Sequence, residues 1–175
     1  MRSAGAKAGI LPYSLTMAQI GLAKGTAADP DGIYFSVPGV VVVTWDPTCK
    51  AVCGKWQSWA TPTEFAGALE AGLSCLKEHR GSQWLADCTE MRAVKQSDQE
   101  WYDQNWFPRA LAAGLRRMAV VNPTSGLSRM NMDDMMGRVP ASRLEVAFFD
   151  AVAEAKDWLN RPIIKTPASL EAQPA

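Results

Sequence analysis

Apolar positions along the chain fall into short β-branched runs and longer stretches at helical spacing, and the two kinds of segment alternate. Val40 to Trp45 is rich in β-branched residues and predicts a strand. Asp46-Pro47-Thr48-Cys49-Lys50 follows as a turn, with Pro47 fixing φ. Ala51 to Trp59 predicts a second strand, so the two form an antiparallel hairpin, and Ile33 to Val37 adds a further strand at its edge. The period then changes. Phe65, Ala68, Leu69, Gly72, Leu73 and Leu76 keep to one face of a helix. Thr61 caps that helix, Pro62 suits its first position and Glu64 completes a capping box. Gly81 is the expected stop.

Gln83 to Asp87 predicts a short buried strand. Ser97-Asp98-Gln99-Glu100 predicts a second capping box, with Ser97 as the cap and Glu100 reciprocating, worth about 1 kcal/mol. The helix behind it carries Trp101, Trp106 and Leu111. Pro108 removes one backbone donor and should kink or split it, and Gly114 ends it. Met118 to Val121 is an uninterrupted apolar run, as expected of a central strand covered on both faces. Asn122 to Gly126 turns the chain into a third helix, near Leu127 to Met136. Leu144 to Phe149 predicts the last strand, and Asp150 is the expected cap of a final helix bearing Val152, Ala155, Trp158 and Leu159.

The fold class that follows is α/β: a mixed sheet of four to five strands, an N-terminal hairpin and then parallel strands, covered by about four helices. Residues 31–160 form the single domain. Residues 1–30, rich in Ala, Gly and Lys, read as a flexible extension, and residues 161–175, with Pro162, Pro167 and Pro174, as a flexible tail. Met17 is an alternative start of translation.

Lys plus Arg equals Asp plus Glu at 18 each, and no basic block is longer than Arg116-Arg117. That balance argues against a nucleic-acid binder, which needs a basic excess to hold phosphates. No stretch reaches the apolar length of a membrane span, and Pro12, Ser14, Thr16 and Gln19 interrupt the mildly apolar N-terminal segment, so no signal peptide is expected. The cytoplasm is the expected compartment, with Cys49, Cys53, Cys75 and Cys88 as reduced thiols. Seven scattered tryptophans read as packing anchors.

Candidate chemistry is sparse. Cys49 and Cys53 lie close together, but no second Cys pair or His pair completes a zinc pattern. His79 is the only imidazole and closes a helix. Cys88, at a strand end, is the thiol expected to be partly exposed, yet the far end of its strand points away from His79, which leaves that pair without catalytic geometry. There is no phosphate-cradling loop and no dinucleotide fingerprint, so no cofactor is expected. Asp133-Asp134 reads as a solvated helix face rather than a metal site. Met130, Met132, Met135 and Met136 share one short helix, either as core filler or as an adaptable apolar surface.

Certain segments carry a resemblance. Trp84-Leu85-Ala86-Asp87, Ser97-Asp98-Gln99-Glu100-Trp101, the run from Pro108 to Arg117 into Met118-Ala119-Val120-Val121, and Phe148-Phe149-Asp150 with Glu154-Ala155 and Trp158-Leu159 resemble the STAS fold of the SpoIIAA-like anti-sigma-factor antagonists, and more closely the STAS/SEC14-like bacterial proteins, over about residues 33–160. The resemblance implies a non-enzymatic module of protein–protein contact. In the antagonists an Asp ends the third strand, and an Asp-Ser-Ser-Gly motif with a phosphorylatable serine opens the next helix. Asp87 fits the first position and Ser97 falls near the serine, but Lys95 and Gln96 precede Ser97 and Asp98 follows it, so the motif's acid and glycine are missing. The expected contact surface runs from Asp87 to Ser97 and onto the helix behind, with Asp87, Thr89, Ser97, Asp98 and Trp101 as binding or regulatory residues. The partner is an unidentified protein, and a homodimer stays open. The rival reading is a binder of a lipid or other small apolar ligand held by the Trp and Met side chains.

Overall fold

The computed structural model describes residues 32–163. The expected N-terminal extension, the alternative start at Met17 and the tail beyond Ile163 lie outside the described residues.

Six strands form one sheet, β1 (Ile33–Val37), β2 (Val41–Asp46), β3 (Ala51–Trp56), β4 (Gln83–Asp87), β5 (Arg117–Val121) and β6 (Glu145–Phe149), ordered in space as in sequence. The sheet thus has one or two strands more than the four to five expected: all six predicted segments pair, β1 with a register shift between Ile33 and Phe35. β1, β2 and β3 make an antiparallel meander; β3 to β6 run parallel. The parallel half needs crossovers. These are α1 (Pro62–Glu78), a bent helix α2 (Gln96–Trp101) and α3 (Phe107–Ala112), and α4 (Gly126–Gly137); α5 (Val152–Leu159) closes the domain.

The period of two along the strands divides the core by face. Trp84, Met118 and Val120 face the larger core with α1, the bent helix and α4. Leu85, Ala119 and Val121 face the other way, onto Ala155 and Leu159 of α5. β5 is buried along its whole length, as its apolar run predicts.

The α1 cap is as the sequence dictates. The Glu64 N–H donates to Thr61 Oγ1 at 3.3 Å, and the Glu64 carboxylate accepts from the Thr61 N–H at 2.8 Å. The far end differs from expectation. Arg80, not Gly81, takes the left-handed conformation, at φ 50°. The Arg80 N–H donates to Lys77 and the Gly81 N–H to Leu76, closing a Schellman turn. Gly81 is needed for space, since a Cβ there would meet the Trp45 ring at 2.9 Å. Within α1, Gly72 lets the tip of the Trp84 ring press against the helix; a Cβ would come within 2.2 Å of that indole.

Pro108 acts as expected, through a specific device. A π turn, Tyr102–Trp106, separates α2 from α3, and the Phe107 N–H reaches back to the Tyr102 carbonyl. The widened turn absorbs the donor that Pro108 lacks. It also turns the Trp106 side chain into the core, where its Nε1–H donates to the Leu69 carbonyl of α1 at 2.8 Å.

Two expected caps are corrected. α2 begins at Gln96, with Lys95 at the cap position, so Ser97 lies inside the first turn and caps nothing. The Lys95 carbonyl accepts from the Asp98 and Gln99 N–H groups, while Glu100 pairs with the Gln96 amide instead of the backbone. The extended residues before Gln96 are held from outside, because Asn131 of α4 and the Gln99 side chain satisfy Val94. Asp150 does not cap α5 either; Ala151 holds that position. The Asp150 carboxylate accepts instead from Asn122 at 2.9 Å and Arg129 at 3.0 Å. Among the described residues no helix is long and apolar enough to cross a membrane.

Candidate functional surface

The carboxyl ends of β3, β4 and β5 lead into the segments that carry the candidate residues. Asp87 ends β4 and is 9% exposed. Its Oδ1 accepts from the Thr89 hydroxyl at 2.6 Å and the Thr89 N–H at 3.2 Å, which folds the chain into a tight turn. The Thr89 carbonyl in turn accepts from both the N–H and the hydroxyl of Thr124, tying this loop to the one after β5. Asp87 and Thr89 therefore shape the loop.

Ser97 is exposed on α2, whereas Asp98 and Trp101 are buried at 2% and 7% and point inward. Trp101 belongs to the main core. Of the five residues singled out from sequence, Ser97 alone lies fully on the surface, with Thr89 half-buried. The loop between them is firmly held. Asn131 pins its middle at Val94, and Arg138 at the end of α4 donates to Gln99 at 3.0 Å and to Asp103 at 2.7 Å.

The structure adds residues that the sequence does not single out. Trp59, three residues past β3, is 44% exposed, and the Lys95 ammonium lies 5.0 Å from its ring centroid. Between them and α1 runs a shallow groove whose apolar lining includes Phe65, Met91 and Val94. Leu127 and Met130 are exposed on the outer face of α4, beside the Asn131 anchor. Nothing in composition separates Trp59 from the other tryptophans. The sequence pattern carries the second strand on to Trp59, whereas β3 stops at Trp56 and leaves Trp59 outside the sheet, so no local signal marks its exposure.

The other three methionines of α4 resolve the choice left by the sequence: Met132, Met135 and Met136 are buried. With Trp56, Trp84 and Tyr102 they line a cavity of about 40 Å³ between α4 and the sheet. Tyr102 is buried and its hydroxyl has no hydrogen-bond partner among the described residues. Burial, with a smaller push from Asp103, raises that phenol well above its usual range, so it stays protonated.

The candidate enzyme pair is not assembled. Cys88 is 1% exposed, which corrects the expectation of partial exposure: the chain turns inward after Asp87, and the Cys88 N–H pairs with the Val121 carbonyl. Burial raises its thiol far above the ordinary range. His79 lies at the opposite end of β4, stacked on Trp45. Asp133 and Asp134 are exposed on α4, as the sequence suggests.

A family model described as SpoIIAA-like matches residues 52–160, which spans β3 to the end of α5. No curated protein and no solved structure matches the chain.

Proposed function

The chain belongs to the SpoIIAA-like family, and from that premise we propose that it is a non-enzymatic regulatory module that binds a protein partner through the surface around Trp59, Lys95 and Ser97. The observation that carries this reading is Trp59. A rigid indole left 44% exposed, beside a lysine and above an apolar groove, has the character of an anchor that dominates a protein contact. Ser97 and Lys95 supply the polar rim, and the Asp87–Thr89 turn with the Asn131 anchor holds the loop in place before binding, which lowers the ordering cost on association. The setting is the cytoplasm, where four unpaired cysteines keep their thiols.

The test is affinity capture from the native host with the full chain and its Trp59→Ala variant. Trp59 lies outside the core cluster, so the variant keeps its fold. The proteins retained by the wild type should be lost from the variant. An unchanged set of captured proteins would contradict the reading.

A second reading rests on Tyr102. An unpartnered hydroxyl beside an apolar cavity suits a small apolar ligand bearing one hydrogen-bond acceptor. The present volume of about 40 Å³ holds a water or two, so such a ligand needs the unbranched side chains of Met132, Met135 and Met136 to change rotamer. Native mass spectrometry separates the two readings. A bound small molecule that disappears in a Met136→Trp variant supports the ligand; a bare chain supports the protein partner.

A further inference from the structure

We propose that Asp46, Cys49 and Cys53 form a binding site for one thiophilic divalent cation of the zinc type. Sequence reasoning sets the two cysteines aside for want of a second Cys or His pair. The structure brings a carboxylate to them instead: one Asp46 oxygen and the two sulfurs all lie within 4.8 Å of one another.

The hairpin turn builds this arrangement. Asp46 ends β2, and its Oδ1 accepts from the N–H groups of Thr48 at 2.8 Å and Cys49 at 3.4 Å, which curls Cys49 back over the carboxylate. Lys50, at φ 50°, reverses the chain into β3 and so brings Cys53 to the same side. Lys156 of α5 binds Oδ2 of Asp46 at 2.7 Å and fixes the carboxylate from the other side. Cys49 is buried and Cys53 half-buried, so a cation has an approach past Cys53.

Three arguments favour a zinc-type ion. Two sulfur donors select a soft or borderline cation over magnesium or calcium. Tetrahedral zinc with Zn–S bonds of about 2.3 Å sets its sulfurs roughly 3.7 Å apart, so the ligands need to close by at most roughly 1 Å. Charge balances in both states. Without the ion, two neutral thiols and the Asp46–Lys156 pair sum to zero. With it, two thiolates, one carboxylate, one ammonium and a dication also sum to zero, and two protons leave to solvent. A partly buried site that is neutral either way avoids an unpaired charge. Three protein ligands leave the fourth position to water.

The experiment titrates the reduced full chain with Co²⁺ and then with Zn²⁺. One equivalent of Co²⁺ should produce a sulfur-to-cobalt charge-transfer band, which Zn²⁺ removes, and Zn²⁺ should raise the melting temperature. Cys53→Ser, at a half-buried position and with circular dichroism confirming its fold, should abolish both effects. Cys75→Ala, on the buried face of α1, should keep the band. Absence of the band in the wild type, its survival in Cys53→Ser, or a stoichiometry of one cation per two chains would overturn the proposal.

Discussion

The imidazole of His79 lies face to face with the indole of Trp45, the ring centroids 4.3 Å apart and the planes 4° from parallel. The stack fastens the end of α1 to β2 across the Gly81 turn, where no side chain fits beneath the indole. It also assigns the single imidazole to packing. Between His79 and Cys88 runs the full length of β4, roughly 17 Å at about 3.3 Å per residue. His79→Ala should therefore lower stability by about 0.5–1.5 kcal/mol in urea denaturation and leave partner capture unchanged. Lost capture at unchanged stability would make His79 a contact residue instead.

The two expected capping boxes separate in a second experiment. Thr61 bonds Glu64 in both directions, so Thr61→Ala should cost about 1 kcal/mol. Ser97 makes no cap bond, so Ser97→Ala should stay within about 0.5 kcal/mol of wild type. Equal losses in the two variants would restore Ser97 as a cap.

These two serine and threonine positions also mark what the sequence could reveal. The Thr61 box is closed by residues three apart, and the β2–β3 hairpin and the apolar run of β5 are equally local; all three are legible. The start of α2 is set by Asn131, 37 residues from Val94, so the Ser-x-x-Glu pattern points two residues too late. The same holds for Asp150, which is drawn from α5 by Asn122 and Arg129. Pro108 announces a break, but the form of the break depends on the Trp106 bond to Leu69 in another helix. Of the candidate surface, the loop position is legible from the β4 strand end. The exposure of Trp59 is not, because it depends on what the groove leaves uncovered.

Thiol reactivity supplies a third prediction. Burial pushes the Cys75 thiol up to about 12, with Glu78 adding to the effect, and raises Cys88 further. At pH 8 roughly one Cys75 in ten thousand is then a thiolate. Cys49 and Cys53 share a hydrogen bond that lowers the Cys49 thiol and raises that of Cys53, and Cys53 leaves the pair half-exposed, so in the folded chain an alkylating reagent should label this pair first and should leave Cys75 and Cys88 untouched until denaturant is added. Labelling of native Cys88 ahead of Cys53 would mean that the loop after β4 opens.

A protein partner docked at the carboxyl edge of the sheet lies within reach of site-directed photo-crosslinking. A photoreactive residue placed at Ser97 should capture a specific protein in the native host, while the same residue at the exposed Glu154 of α5, on the opposite face, should not. Equal capture from both positions, or capture from Glu154 alone, would contradict the account.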